Sequence, residues 1–317
     1  MFIKVEIKRD IMHYCFVVNG RPGKEHIYRW LLKELEELSA PIDSEIHLTT
    51  APKEATSYVG QYMKDHPGQP TCFVACGGDG TLNEVATAMV GCPDEFCMSF
   101  LPHGSGNDFA KYFYGRDYSR SRLTDVLEGT PRRVDIIRVN DSYALNICNF
   151  GFDSKVAEVA NRLTITGRRR RPYRCGVFAA IFTARFNRIR VVADGELLTR
   201  RRMLLCTLAN AAYVGGEYHC APKARIDDGL IDVCLFHSMP LLAFIFRIKL
   251  YTYGKHLGHP RMRNRMEYRQ VSRVELSSDQ TFAVCVDGEM IYGDRFDCRL
   301  LPAALTLVEP KVTPTES

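Results

Sequence analysis

The chain has 317 residues, 46% of them apolar, a net charge of +5 and twelve cysteines, none in a C-x-x-C pair. That is enough apolar residue for full cores in two ordinary domains; no low-complexity tract argues for disorder, and the cysteine spacing argues against disulfides or zinc. The modest positive charge permits contact with phosphate or anionic lipid without requiring either.

The N-terminus mixes charges through Met1–Asp10, so no secretory signal is expected. Met12 directly precedes the first strand, so either Met1 or Met12 serves as the start. The most apolar stretch, Met239–Phe246, is cut short by Arg247 and Lys249, too soon to span a bilayer. The scattered cysteines, several of them in apolar strand-like runs, point to reduced, buried thiols and a cytoplasmic protein.

In chain order, strands are predicted at His13–Val18, Glu45–Thr49, Cys72–Cys76 and Cys97–Leu101. Helices are predicted after each, at Lys24–Leu38, Lys53–Asp65, Thr81–Val90 and Asn107–Tyr114. This alternation predicts a doubly wound, parallel α/β domain over residues 12–131, whose ligands sit at the C-terminal ends of the strands. After Pro131 the pattern changes. Strands are predicted at Val134–Val139, Ser142–Asn149, Arg188–Ala193, Met203–Asn210, Leu230–Phe236, Arg273–Leu276, Phe282–Val286 and Arg299–Val308. Only two helices stand out between them, near Asp153–Arg162 and Met239–Gly254. A mainly β domain, a sandwich over 132–300, is expected, with 301–317 as a C-terminal segment.

The most informative stretch is Cys76-Gly77-Gly78-Asp79-Gly80-Thr81-Leu82-Asn83-Glu84. Strand, Gly-rich turn and helix start follow one another, which brings bare backbone N–H groups and the positive end of a helix dipole to one point. Asp79 there would repel a phosphate unless a divalent cation lay between them, so the pattern suggests a nucleotide-phosphate site working with Mg²⁺. A tight turn that merely needs glycine is the bland alternative. A second such turn, Pro102-His103-Gly104-Ser105-Gly106-Asn107-Asp108, offers the Ser105 hydroxyl, with Asn107 or Asp108 as helix cap. The turn Asn19-Gly20-Arg21-Pro22-Gly23 follows the first strand, but no Walker A loop occurs anywhere in the chain. Val286-Asp287-Gly288-Glu289, like Asp194-Gly195-Glu196, reads locally as a simple turn. Asp227-Asp228-Gly229 reads as a polar loop or a hard-cation site. The run Arg168–Arg171 is either a solvated surface or a contact for anionic headgroups. No nucleic-acid-binding module accompanies it.

Taken together, these motifs resemble the diacylglycerol kinase catalytic family, from His13 to Pro310. They are Gly77–Glu84, Pro102–Ala110, Asn146–Asp153, Gly215-Gly216, Asp228–Val233 and Val286–Glu289. The resemblance implies an N-terminal α/β ATP-binding domain, a C-terminal β-sandwich, and transfer of the ATP γ-phosphoryl group to a lipid hydroxyl. By position it implies that Gly77, Gly78, Asp79, Gly80, Thr81, Leu82 and Asn83 hold the ATP phosphates, with Asp79 acting through Mg²⁺. Thr49 and the loop of Asn19, Gly20, Arg21, Pro22 and Gly23 would contact the nucleotide, Gly20 standing where the family has Pro. Ser105 stands where the family has Thr. Glu289 matches the general base, and Asp228 with the carbonyls of Arg225 and Leu230 matches a structural Mg²⁺ site. A lipid acceptor implies peripheral contact with a membrane, through the Arg168–Arg171 segment and apolar neighbours such as Val177, Phe178, Ile181 and Phe182, although those apolar residues read first as a core helix face. Diacylglycerol, phosphatidylglycerol, a sphingoid base or a small alcohol all fit the acceptor side, and the oligomeric state, monomer or homodimer, is open. An NAD kinase shares the Gly-Gly-Asp-Gly loop and is the nearest alternative; a catalytically silent nucleotide-binding protein is another.

Overall fold

A computed structural model describes residues 12–116, 121–151, 189–199 and 202–311. The expected helix at Asp153–Arg162, the Arg168–Arg171 run and its apolar neighbours lie outside the described residues. The chain divides into two compact units, one of residues up to Val134 and from Ala303, the other of Asp135–Pro302.

The first unit is built from four parallel strands, β1 (His13–Asn19), β2 (Ser44–Thr49), β3 (Thr71–Gly77) and β4 (Phe96–Pro102), in the order β4-β3-β1-β2. Every residue of β3 is buried, which is why this central strand is an unbroken apolar run and not an alternating one. The helices α1 (Glu25–Glu36), α2 (Glu54–Asp65) and α3 (Asp79–Met89) connect them, and α4 (Ala110–Tyr114) and α5 (Leu123–Leu127) follow β4. Helix α3 buries Leu82, Val85, Ala86 and Met89, one apolar face at helical spacing. It is pinned to α2 by Glu84, whose carboxylate accepts the Ala55 N–H at 3.2 Å and whose carbonyl accepts the Thr56 hydroxyl at 2.8 Å.

The second unit contains β6 (Ser142–Ala144), β7 (Ile147–Gly151), β8 (Arg190–Ala193), β9 (Glu196–Leu197), β10 (Met203–Ala209), β11 (Ile231–His237), helix α6 (Leu241–Thr252), β12 (Met266–Val271) and β13 (Arg273–Val286). Strand β5 (Thr130–Val139) leads into this unit and β14 (Glu289–Glu309) leads out of it. Neighbours pair antiparallel in the order β12-β11-β10-β7-β13-β14, with the hairpin β8-β9 beside β13. Cys206, Leu208, Val233 and Leu235 enter one apolar cluster, whereas Leu205, Ala209, Cys234 and Phe236 enter another with Tyr251 of α6. Both faces of β10 and β11 are therefore covered. Strand β14 changes units at Ala303, whose φ is 48°. Its last part runs parallel to β4, with Leu307 opposite Met98 and the Val308 carbonyl accepting from Ser99.

Three expectations shift. Ser142–Asn149 is broken into β6 and β7. The two strands expected at Arg273–Leu276 and Phe282–Val286 are one, irregular between Ser277 and Phe282. Helix α3 begins at Asp79, not Thr81, so Asp79 lies in the first helical turn. All cysteines among the described residues are free thiols.

Candidate functional site

The ends of the parallel strands lie level with one another. Asn19 is opposite Thr49, Val18 opposite Cys76, and Gly77 opposite Pro102. The three candidate turns therefore open at one edge of the first unit, and the two glycine turns emerge from adjacent strands. They are bonded to each other: the His103 N–H donates to the Gly77 carbonyl at 2.6 Å. Gly78 and Gly104 touch through their bare Cα atoms, so neither can carry a side chain without displacing the other.

Asp79 links the turns a second time. Its Oδ1 accepts the Phe109 N–H at 3.4 Å, and its Oδ2 lies 3.0 Å from where a β-carbon on Gly106 would stand. The first turn of α3 thus places a carboxylate and a dipole worth roughly half a positive charge side by side. Gly80 is exposed, with open space where a side chain would point, and Ser105 is exposed on the second turn. This is a cradle with room for a phosphate against backbone N–H groups, and its donor set of one carboxylate and one hydroxyl suits Mg²⁺.

The other expected positions make these contacts within the fold. The Thr81 side chain packs where a β-carbon on Gly77 would lie, and Leu82 is buried with its N–H donated to the Gly78 carbonyl. Thr49 is buried and donates its hydroxyl to the Val18 carbonyl at 3.3 Å, while the Gly20 N–H bonds the Thr49 carbonyl at 2.9 Å. Gly23, at φ 84°, closes the exposed Arg21–Gly23 turn, its N–H donated to Glu25. Asn83 is half-buried and accepts from Thr87 at 3.5 Å.

Neither Asn107 nor Asp108 caps α4, contrary to expectation. Asn107, at φ 49°, clamps its own turn by accepting from the Gly104 N–H at 2.7 Å and donating to its carbonyl at 3.0 Å. Asp108 is ion-paired at 2.8 Å to the buried Lys111, which also donates to the Gly106 carbonyl at 2.6 Å. Lys111 was not singled out from the sequence; its only signal was the i, i+3 spacing from Asp108. Beside this turn His103 packs edge-on to Trp30, and burial lowers its pKa to about 4.

In the second unit, Asp287 and Gly288 (φ 44° and 94°) form the two-residue turn joining β13 to β14, and Glu289 follows, exposed. The Asp287 carboxylate accepts the N–H groups of Leu145, Asn146 and Ile147 at 2.7, 3.1 and 2.7 Å. This is why the strand expected at Ser142–Asn149 breaks: its middle amides bond a carboxylate and not a ladder. The turn that presents Glu289 is anchored, and Asp287 anchors it. Asp194-Gly195 is built alike, its carboxylate accepting from Ser272 and Arg273.

In the loop before β11, Asp135 holds the turn by accepting the Gly229 N–H at 2.8 Å. Asp228 accepts the Leu230 N–H at 3.1 Å, and Arg225 pairs with Asp227 at 3.6 Å. Burial raises the Asp228 pKa, against the Leu230 hydrogen bond and with help from Asp227. A half-buried carboxylate that is costly to ionise is one that a hard cation would stabilise. No cluster of three or more metal-binding side chains occurs among the described residues, so such an ion would rest on Asp228 and carbonyl oxygens.

The architecture is that of a kinase with an α/β catalytic half and a β-sandwich half, and comparison with known proteins bears this out. The diacylglycerol kinase catalytic domain matches residues 13–139, and the YegS C-terminal NAD kinase beta sandwich-like domain matches 146–309. A probable lipid kinase YegS-like protein of Pseudomonas savastanoi is 30% identical over 255 residues, 77% of this chain and 78% of the relative. A diacylglycerol kinase of Bacillus subtilis is 26% identical over 278 residues, 86% and 88% of the two chains. A crystal structure of a diacylglycerol kinase from Bacillus anthracis shares the fold, with a TM-score of 0.68 at 18% identity, covering 96% of this chain and 98% of the other. The chain belongs to the lipid kinase family that joins a diacylglycerol kinase catalytic domain to a YegS-type C-terminal domain.

Proposed function

We propose that this enzyme transfers the γ-phosphoryl group of ATP to a lipid hydroxyl at a membrane surface, with diacylglycerol as the acceptor and phosphatidic acid as the product. The observation that carries the reading is the pair of register-matched glycine turns, with the N-terminus of α3 and Asp79 between them. The N–H groups around Gly78–Gly80 would receive the phosphates, and Ser105 would supply a hydroxyl from the facing turn. Asp79 would hold Mg²⁺, which when bound neutralises charge developing on the transferred group. Glu289, exposed after an anchored turn, would accept the proton of the attacking hydroxyl. Asp228 with the carbonyls of Arg225 and Leu230 would hold a second, structural cation.

The test is ATP labelled at the γ-phosphate, offered with diacylglycerol, phosphatidylglycerol and sphingosine in mixed micelles, with and without Mg²⁺. The expected outcome is Mg²⁺-dependent labelling of diacylglycerol. A second reading, phosphorylation of NAD, is favoured by the NAD kinase-like sandwich matched over 146–309. It predicts a labelled nucleotide and unlabelled lipid in the same assay.

A further inference from the structure

Helix α6 and the loop after it carry an exposed surface that the phosphate site does not use. Phe246 is 76% exposed and Tyr253 57% exposed, among the most exposed large apolar residues described. From Phe246 through Arg269 the chain has seven Lys or Arg residues, Arg269 included, and one carboxylate, Glu267. That carboxylate is engaged with His237 at 3.1 Å. Lys249, Lys255, Arg261, Arg263 and Arg265 are exposed, and none pairs with a carboxylate among the described residues. Glu217, next to Tyr218, is an exposed acid near the helix, since Tyr218 packs on Tyr251.

The loop is fastened to the helix. The Arg247 guanidinium donates to the Arg261 carbonyl at 3.1 Å and to the Ala243 carbonyl at 2.9 Å. Lys255 N–H bonds the Leu250 carbonyl at 2.8 Å, and Met262 is buried in the same cluster as Tyr251. Exposed aromatic side chains and cations that pair with no described carboxylate are thus carried by one helix and the loop fastened to it. No described helix is long and apolar enough to cross a membrane. Exposed aromatics on a helix followed by a basic loop are the composition that binds an anionic interface, the ring entering the headgroup layer and the cations meeting phosphates.

We propose that α6 and the 255–265 loop form the surface by which this protein docks on an anionic phospholipid bilayer, a proposal that rests on the lipid-kinase reading for its biological purpose. It places docking outside the Arg168–Arg171 run.

The test uses the full chain, with sucrose-loaded vesicles of phosphatidylcholine, with or without phosphatidylglycerol as a third of the lipid. Each basic residue at such a surface is worth about fivefold in partition. K255A/R261A/R263A is therefore expected to weaken binding to the anionic vesicles about 100-fold, and F246A at least about tenfold. Neutral vesicles should bind all forms weakly. All substituted side chains are exposed, and thermal unfolding should be unchanged. Wild-type binding by both variants overturns the proposal. So does F246A turning a dimer into a monomer while vesicle binding is kept, since the face would then join two copies. Turnover of dispersed short-chain diacylglycerol tests the functional reading separately. Equal turnover by wild type and variants, with binding lost, supports docking. If wild type phosphorylates no lipid, the functional reading fails, and docking is decided by the vesicles alone.

Discussion

Gly104 and Gly78 face each other with no room between them: a β-carbon on Gly104 would lie 2.5 Å from the Gly78 Cα and 2.7 Å from Asn107 Oδ1. Both obstacles are held, one by backbone and the other by the clamp Asn107 makes on Gly104. Gly104→Ala must therefore push the two turns apart. It should lower the unfolding midpoint and weaken ATP binding about tenfold or more, as seen by thermal unfolding and nucleotide titration.

Gly80→Ala makes the opposite prediction for stability. A β-carbon there meets nothing within 4 Å, and the residue sits in the first turn of α3. Alanine in a helix gains up to about 1 kcal/mol over glycine. The variant should be as stable as wild type or more so, yet bind ATP less well because its methyl stands at the open mouth of the cradle. Unchanged affinity would argue that phosphate does not approach there.

Asp287 and Glu289, two residues apart, should separate cleanly. Asp287→Ala leaves three N–H groups without their acceptor and should cost roughly 2–4 kcal/mol. Asp194→Ala, in an exposed turn of the same kind, should cost about 1 kcal/mol. Glu289→Gln should leave the denaturation curve in place and reduce turnover about 100-fold or more. A Glu289→Gln enzyme that turns over normally removes the general base from this position.

Acid should destabilise the fold through two histidines. Burial lowers the pKa of His103, and of His256 with its Nε2 3.1 Å from the Cys220 carbonyl, to about 4. In the unfolded chain both protonate near pH 6.5. Between those values the unfolded state binds more protons, so stability is complete above about pH 6.5 and falls as pH drops toward 4. His256→Gln should flatten part of this slope, measured as denaturant midpoints at pH 7.5 and pH 5.

The parallel half of the fold was legible because each βα repeat writes its own local signal: a buried strand, a glycine turn, an amphipathic helix. The turns at Gly77 and Gly104 were legible for the same reason. What was not legible depends on distant partners. Ser142–Asn149 has a strand's composition and breaks because Asp287, 140 residues later, takes its amides. Strand β12 (Met266–Val271) was missed because it is half polar, at one end of the strand order. Helix α5 has five residues, too few to show a period. Asn107 and Asp108 were expected as caps from their type and position, but a clamp on Gly104 and a buried Lys111 claim them.

One assay asks whether the glycine cradle and Asp79 serve transfer from ATP to a lipid. ATP labelled at the γ-phosphate is incubated with Mg²⁺, diacylglycerol micelles and NAD together, using wild type and Asp79→Asn. Asparagine keeps a side-chain oxygen for the Phe109 N–H that Asp79 Oδ1 accepts, so Asp79→Asn should leave the protein folded. Wild type should give labelled phosphatidic acid, and Asp79→Asn should give at least about 100-fold less. Label in NAD and none in lipid, or equal lipid labelling by the variant, would contradict that role.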